Sequence, residues 1–313
     1  MSRPSARMSP FSQAVVTAMR KLYPESLADK SFDNTGLLLE APSRPGLKNC
    51  ALLTIDLTTG VADEAIARKD SIIVTYHPII FRALKSITLE NTQQNSLLRL
   101  AQEGISVYSP HTAVDAAPGG LNDWLTDIVI GKTAENQAFQ DTVSERSVIT
   151  PIQSPPEDFE AAGYGRIVRL SSPQTLQVLI NRIKNGLGVQ NLSVAVPQTF
   201  HQVQAKDDIH ISSVGVCVGS GSMLNGLDVD LLVTGELSHH ETLAAIENGK
   251  CVVSAFHSNS ERGFLEQRMK SVLAKQLRSD IAEMEMEGNW EDGVPTECAV
   301  DVSKVDRDPY ETV

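Results

Sequence analysis

ALLTIDLTTGVADEAIARKDSIIVTYHPII, residues 51–80, decides how this chain folds. ALLTIDL (51–57) is an apolar run of strand length. Residues 59–68 place apolar positions at helical spacing. SIIVTY (71–76) is a second buried-strand run, closed by His77-Pro78. Proline brings no N–H to a ladder and forces a turn there. The rhythm continues outward. A helix fits 92–103, closed by Gly104, and ISVYS (105–109) is a third strand ending at Pro110-His111. Strand–helix–strand–helix–strand with short connections predicts a mostly parallel sheet covered by helices.

Towards the N-terminus, the spacing of Val15, Val16, Met19 and Leu22 predicts a packed helix near 12–22. The middle of the chain differs. TPIQSPPED (150–158) carries three prolines and is expected to be a linker. A short strand at 166–170, a helix near 173–184, a strand at 192–196 and a polar loop at 201–208 follow. The last third repeats the opening rhythm. VGVCVG (214–219) enters the loop Gly219-Ser220-Gly221-Ser222. LDVDLLVTG (227–235) ends at Glu236, a helix fits 239–248, and KCVVSAF (250–256) ends at His257. A long helix is expected from 259 to 279, with a loose acidic tail beyond about 285. The predicted architecture is α/β, two units with mostly parallel or mixed sheets covered by helices. The first unit is expected over 1–135 plus 250–313 and to carry most metal ligands; the second is expected over 136–249. The two together can also count as one domain.

With 313 residues and 41% apolar composition, the chain can build a sizeable core. Acidic residues outnumber Lys+Arg by 39 to 27, a net charge of −12, which argues against a nucleic-acid surface. None of the four cysteines forms a CxxC pair, so a thiolate zinc finger is not expected. Cys50, Cys217 and Cys251 lie in or beside apolar runs and read as buried thiols. No apolar run is long enough for a membrane span, and no signal-peptide core opens the chain. A cytoplasmic location is expected. Arg3, Arg7, Arg20 and Lys21, with no acid in the first 24 residues, also fit a mitochondrial leader, and a nuclear location is a further alternative.

Five of the seven histidines follow the C-terminal end of a predicted strand: His77, His111, His239, His240 and His257. Open parallel sheets bind ligands at that edge. Carboxylates accompany them: Asp115 after His111, Glu236 and Glu241 around His239-His240, and Glu261 after His257. Imidazole plus carboxylate is a donor set for zinc, iron or manganese. A second reading stays open at three places. Ser258-x-x-Glu261, Ser238-x-x-Glu241 and Thr112-x-x-Asp115 have the form of helix capping boxes. His77 can equally be a turn histidine bonded to a carbonyl. If 257–261 is helical, His257 and Glu261 share a face; if the helix starts later, they must converge otherwise. Gly219, Ser220, Gly221 and Ser222 can cradle an anion with their N–H groups, although the loop lacks a P-loop lysine. GxSxG does not occur, which sets nucleophilic serine hydrolysis aside.

YHPIIF (76–81), SPHTAVDAAPGGLND (109–123), VTGELSHHE (233–241), FHSNSERGFLE (256–266) and FDNTGLLLE (32–40) together resemble the Nif-three-like family, in its eukaryotic, fungal-type branch. The likeness runs from about residue 22 to about 277. It implies a two-part α/β fold, a toroidal homohexamer and two neighbouring divalent metals. Carried over by that resemblance, the metal ligands are His77, Asp115, His257 and Glu261. The position of a further histidine ligand is held here by Tyr76, as in the eukaryotic branch. A phenol with an ordinary pKa of about 10 is neutral near pH 7 and a poor ligand. One ion is therefore expected more firmly than two, unless His111, His239 or His240 compensates.

Two functions follow from these readings. One is a metal-dependent hydrolase of a nucleotide or other phosphorylated small molecule, with His239, His240 or Glu236 orienting a ligand or moving a proton. Some family members are described as GTP cyclohydrolase type 2-like. The other is a non-catalytic metal-binding scaffold, a metal chaperone or a transcription-related protein partner.

Overall fold

The computed structural model describes residues 7–132, 143–200, 206–290 and 295–311. Arg3, the expected domain limits at 135 and 136, and 201–205 of the expected polar loop lie outside them. The chain divides into two compact units, Met1–Val114 with Leu265–Arg307 and Asp115–Phe264 with Asp308–Val313. Each carries one sheet with helices, an α/β fold as expected.

Elements are numbered in chain order. The sheet of the first unit holds β1 (Gly36–Leu39), β2 (Lys48–Thr54), β3 (Asp70–Thr75), β4 (Ser106–Ser109) and β11 (Ala299–Val302), in the order β1-β4-β3-β2-β11. Strand β1 runs antiparallel to β4; the other pairs are parallel. Strand β3 is buried along its whole length, as a central parallel strand covered on both faces must be. Its Ile73 joins Leu52 of β2 and Val107 of β4 in a core completed by α2 (Thr59–Arg68) and α3 (Thr92–Glu103). Ile72 and Val74 point the other way and are equally buried. On that side α1 (Pro10–Leu22) packs against β2 and β3 and against α9 (Lys270–Met286).

Local chemistry explains where these helices stop and start. The Ser9 hydroxyl accepts from Ser12 N at 3.0 Å and Pro10 opens α1, a favoured first helical residue. Asn91 caps α3, and Gly104 ends it at φ 84°. A side chain at Gly104 would place Cβ 2.8 Å from the Pro42 carbonyl, so the left-handed turn needs glycine twice over.

The acidic tail is corrected in part. Residues 299–302 add β11 to the free edge of β2, in register from Ala299↔Cys50 to Val302↔Leu53. Arg68 ties that edge down, bonding Asp70 at 2.9 Å and Asp301 at 2.6 Å. Just beyond, Asp306 accepts the Ile55 N–H at 2.7 Å. The single expected long helix is likewise broken: α8 (Asn259–Phe264) belongs to the second unit, and a π turn, Leu265–Met269, precedes α9 in the first.

The second sheet has the order β5-β6-β8-β9-β10-β7: β5 (Val143–Pro151), β6 (Gly163–Thr175), β7 (Ser193–Ala195), β8 (His210–Ser220), β9 (Leu231–Glu236) and β10 (Cys251–Ser254). Strands β8, β9 and β10 are parallel neighbours; the rest pair antiparallel. Helices α5 (Leu121–Ile130), α6 (Leu176–Leu187) and α7 (His239–Glu247) cover it. Strand β5 was expected to be loop at its end. It is an edge strand that keeps most side chains half-exposed or exposed, so it shows no apolar alternation.

A buried charge holds α5 to the β5–β6 hairpin. The Arg166 guanidinium, 3% exposed, donates to Asp123 at 2.6 Å and to the carbonyls of Gly163 and Gly165. Arg146 donates to the same carboxylate and to Asp127. Burial works to raise the Asp123 carboxyl, but the two arginines and the Gly119 N–H outweigh it and hold the group at about 2. Its contribution is full above the usual carboxylate pKa of about 4 and is lost as pH falls towards 2. Arg166→Met should destabilise the fold by about 2 kcal/mol, since it removes one of the two arginines that neutralise a buried carboxylate. It should also flatten the acid limb of stability measured by urea unfolding between pH 5 and pH 2. An unchanged acid limb would show that Asp123 does not set it.

Candidate functional site

In the first unit the parallel order β4-β3-β2 sets three strand ends side by side. The residues that follow them are Asp56, Tyr76-His77 and His111. His77 Nδ1 lies 2.9 Å from Asp56 Oδ1, and His111 Nδ1 lies 2.6 Å from Asp33 Oδ1. An imidazole that donates from Nδ1 carries its lone pair on Nε2, the form a metal or a proton acceptor role requires. Asp33 is nearly inaccessible and is gripped further by the Thr112 N–H and hydroxyl. Burial opposes its charge, but the bonds from His111 and Thr112 hold its carboxyl below the usual range.

Tyr76 is buried, its ring 4.9 Å from the His77 ring and 5.3 Å from that of His111. The two imidazoles stand 5.5 Å apart, edge to face. His111 adopts φ 33°, a region non-glycine residues seldom visit and one that clusters at functional sites.

The second unit repeats the device. Strands β8, β9 and β10 end at Gly219-Ser220, Glu236 and, two residues on, Phe256-His257. His257 Nδ1 lies 2.8 Å from Glu236 Oε1, and His257 Nε2 lies 3.5 Å from Glu261 Oε1. Glu261 is 1% exposed. Helix α8 starts at Asn259, so His257 sits on the preceding loop and converges on Glu261 without sharing its helix face.

Gly219, at φ 58°, makes this convergence sterically feasible. A Cβ there would lie 2.7 Å from Glu261 Oε1 and 3.0 Å from His257 Nε2. Ser260 fixes the arrangement: its hydroxyl accepts the Gly219 N–H at 2.8 Å and donates to the His257 carbonyl at 2.7 Å. Asp115, half-buried in α4 (Thr112–Ala116), is held through its backbone. Asn122 donates to the Asp115 carbonyl at 3.1 Å and accepts the Val218 N–H at 3.1 Å. Burial, then Asp115 and Glu261, push the Cys217 thiol up, which makes it a buried thiol and no nucleophile.

The capping readings now separate. Ser238 and Glu241 form a true capping box on α7, with Ser238 N 2.8 Å from Glu241 Oε2. That backbone bond leads the interactions that pull Glu241 down to about 2. Ser258 instead donates to Asp308, and the Thr112 hydroxyl is taken by Asp33, so neither caps. His239 and His240 are exposed on α7 and pack edge-on against each other, 5.3 Å apart.

The Gly219–Ser222 loop, read as an anion cradle, has two of its N–H groups engaged within the protein. The Gly219 N–H goes to Ser260 and the Gly221 N–H to the Glu236 carbonyl at 3.0 Å, so these two donors face the protein. Three residues escaped the sequence reading: Asp33, Asp56 and Asn122. Asp56 could have been found by extending the strand-end rule from histidines to acids.

Residues 12–289 match the family model described as Duf34/NIF3 (NGG1p interacting factor 3). The chain is 44% identical over 305 residues to the protein NIF3 homolog of Schizosaccharomyces pombe, covering 97% of this chain and 98% of that one. It is 40% identical over 273 residues to NGG1-interacting factor 3 of Saccharomyces cerevisiae, covering 83% and 89%. A Bacillus cereus protein related to NIF3 shares the fold with a TM-score of 0.71 at 20% identity, covering 96% of this chain and 98% of that one.

Gly219→Ala should lower stability by more than about 1 kcal/mol and disturb the His257–Glu261 pair. Ser238→Ala should also lower stability, by about 1 kcal/mol through the lost cap, but leave that pair untouched. Thermal unfolding reads both. The His257 ring resonances in an NMR spectrum should shift only in the first variant.

Proposed function

Because the chain belongs to the Duf34/NIF3 family, we propose that it is a divalent-metal-binding protein that acts as a metal-dependent hydrolase on a nucleotide or other phosphorylated small molecule. By the resemblance, its metal ligands are His77 in the first unit and Asp115, His257 and Glu261 in the second. One observation carries this reading. His77 and His257 each follow a parallel strand end and each have Nδ1 clamped by a carboxylate, Asp56 in one unit and Glu236 in the other. Metal-binding histidines nearly always have that support. The donor set fits zinc, iron or manganese, and the space that a Cβ at Gly219 would fill lies against the two donors of the second unit.

A bound divalent ion supplies Lewis acidity, polarising a phosphoryl or carbonyl oxygen and making water acidic near neutral pH. The chain's own residues do the rest. Asp56 and Glu236 hold the imidazoles in the ligating tautomer. His111, fixed by Asp33, is set beside His77 to give or take a proton at Nε2. Tyr76 keeps a buried ring where the resemblance expects a further imidazole, so one ion binds more firmly than a second.

A scaffold role is the second reading, favoured by the name of the S. cerevisiae relative as an NGG1-interacting factor. A homohexamer, proposed from the resemblance, serves either role and is read by light scattering.

Purified protein should carry roughly one divalent ion per chain by elemental analysis, and His257→Ala or Glu261→Ala should lose it. Asp56→Asn and Glu236→Gln should weaken metal affinity about 10–100-fold with the fold intact. Full metal content in the His257 and Glu261 variants would sink the ligand assignment. Retained metal with no turnover on a panel of nucleotides and phosphoesters would favour the scaffold.

A further inference from the structure

His257 lies on a loop, and one distant segment of the second unit, 308–310, holds the residues on both sides of it. Phe256 precedes the histidine. Its backbone is left-handed, at φ 68°, a region that bulky residues keep only where their surroundings impose it. Phe256 is 37% exposed, so burial alone does not impose it. The Tyr310 ring stacks on the Phe256 ring, centroids 5.9 Å apart and planes 27° from parallel. Ser258 follows the histidine and is buried. Its hydroxyl accepts from Arg262 Nη2 at 2.9 Å and lies 2.7 Å from Asp308 Oδ2. A guanidinium only donates, so the Ser258 proton goes to Asp308. The other oxygen, Asp308 Oδ1, accepts the Tyr310 N–H at 2.8 Å. A single carboxylate thereby closes the turn that presents the Tyr310 ring and fastens the residue after His257.

We infer that Asp308 and Tyr310 are positioning residues for His257, holding its loop in the twist that brings Nε2 within 3.5 Å of Glu261. The inference rests on the reading of His257 and Glu261 as metal ligands. Rotation about φ of Phe256 moves everything that follows it, so a return to negative φ re-aims the imidazole. Tyr310 acts through its ring, since its hydroxyl makes no hydrogen bond among the described residues. Asparagine at 308 is no substitute for the carboxylate, because its amide has one acceptor oxygen where two are used.

Zinc affinity of the full-length protein, read by competition with a chromogenic chelator, tests the inference beside the His257 ring resonances of the metal-free protein. Asp308→Asn and Tyr310→Ala should each weaken zinc binding about 10–100-fold and shift those resonances. Tyr310→Phe keeps the ring and should bind zinc as the wild type does. Ser238→Ala loosens a helix of the same unit and should leave zinc affinity unchanged, which separates positioning from general softening. Three results would overturn the inference: wild-type affinity in Asp308→Asn or Tyr310→Ala, a loss in Tyr310→Phe as large as in Tyr310→Ala, or an equal loss in Ser238→Ala. A wild-type protein that takes up no zinc, manganese or iron sinks the metal reading instead. Asp308→Asn, which removes no ring, then decides: shifted His257 resonances support the positioning role, and unshifted ones overturn it.

Discussion

When β2, β3 and β4 pair in parallel, Thr54 stands beside Thr75 and Val74 beside Tyr108. The residues that leave those strands must then emerge at one edge. Asp56, Tyr76, His77 and His111 are those residues. In the second unit Val216, Val233 and Val253 align in the same way and deliver Gly219, Glu236 and His257. An antiparallel arrangement would send alternate ends to opposite edges, and none of these side chains would meet its partner. The site in each unit is thus a consequence of ladder direction, which the buried Val/Ile/Leu runs enforce.

Direction alone leaves the imidazoles free to turn. Carboxylates remove that freedom. Asp56, Asp33 and Glu236 each take one histidine by Nδ1, and a neutral ring so held has its basic nitrogen in one place. Asp33 is itself gripped by Thr112 at two atoms, so the order extends outward from the ring. The strained backbone of His111 persists because these contacts determine it from several sides. In the second unit the missing side chain of Gly219 does comparable work, by leaving room for Glu261 and His257 to approach.

Charge is used differently elsewhere. Arg166 and Arg68 are structural cations, one joining α5 to a hairpin and the other fastening an edge strand. Each works because its carboxylate partner is largely shielded from water, Asp123 in one case and Asp70 in the other.

Much of this was legible in the amino-acid order. The helix at 92–103, the glycine that ends it and the gathering of histidines behind strand runs follow from periodicity and from the steric limits of glycine and proline. These are local properties, written in neighbouring residues. Strand β11 was not legible, since a lone buried Val300 has no period and becomes a strand only because β2 offers it an edge. Nor was the choice between cap and ligand. Ser238-x-x-Glu241 and Ser258-x-x-Glu261 share one pattern, yet the first closes on its own helix while Ser258 turns to Asp308. Which carboxylate takes which histidine was equally out of reach, for Asp33 and His111 are 78 residues apart. Sequence by itself determined the strand-end histidines and the α/β alternation that places them. Tertiary structure alone decided their partners, because a hydrogen bond between distant residues exists only once the sheet has set their strands side by side.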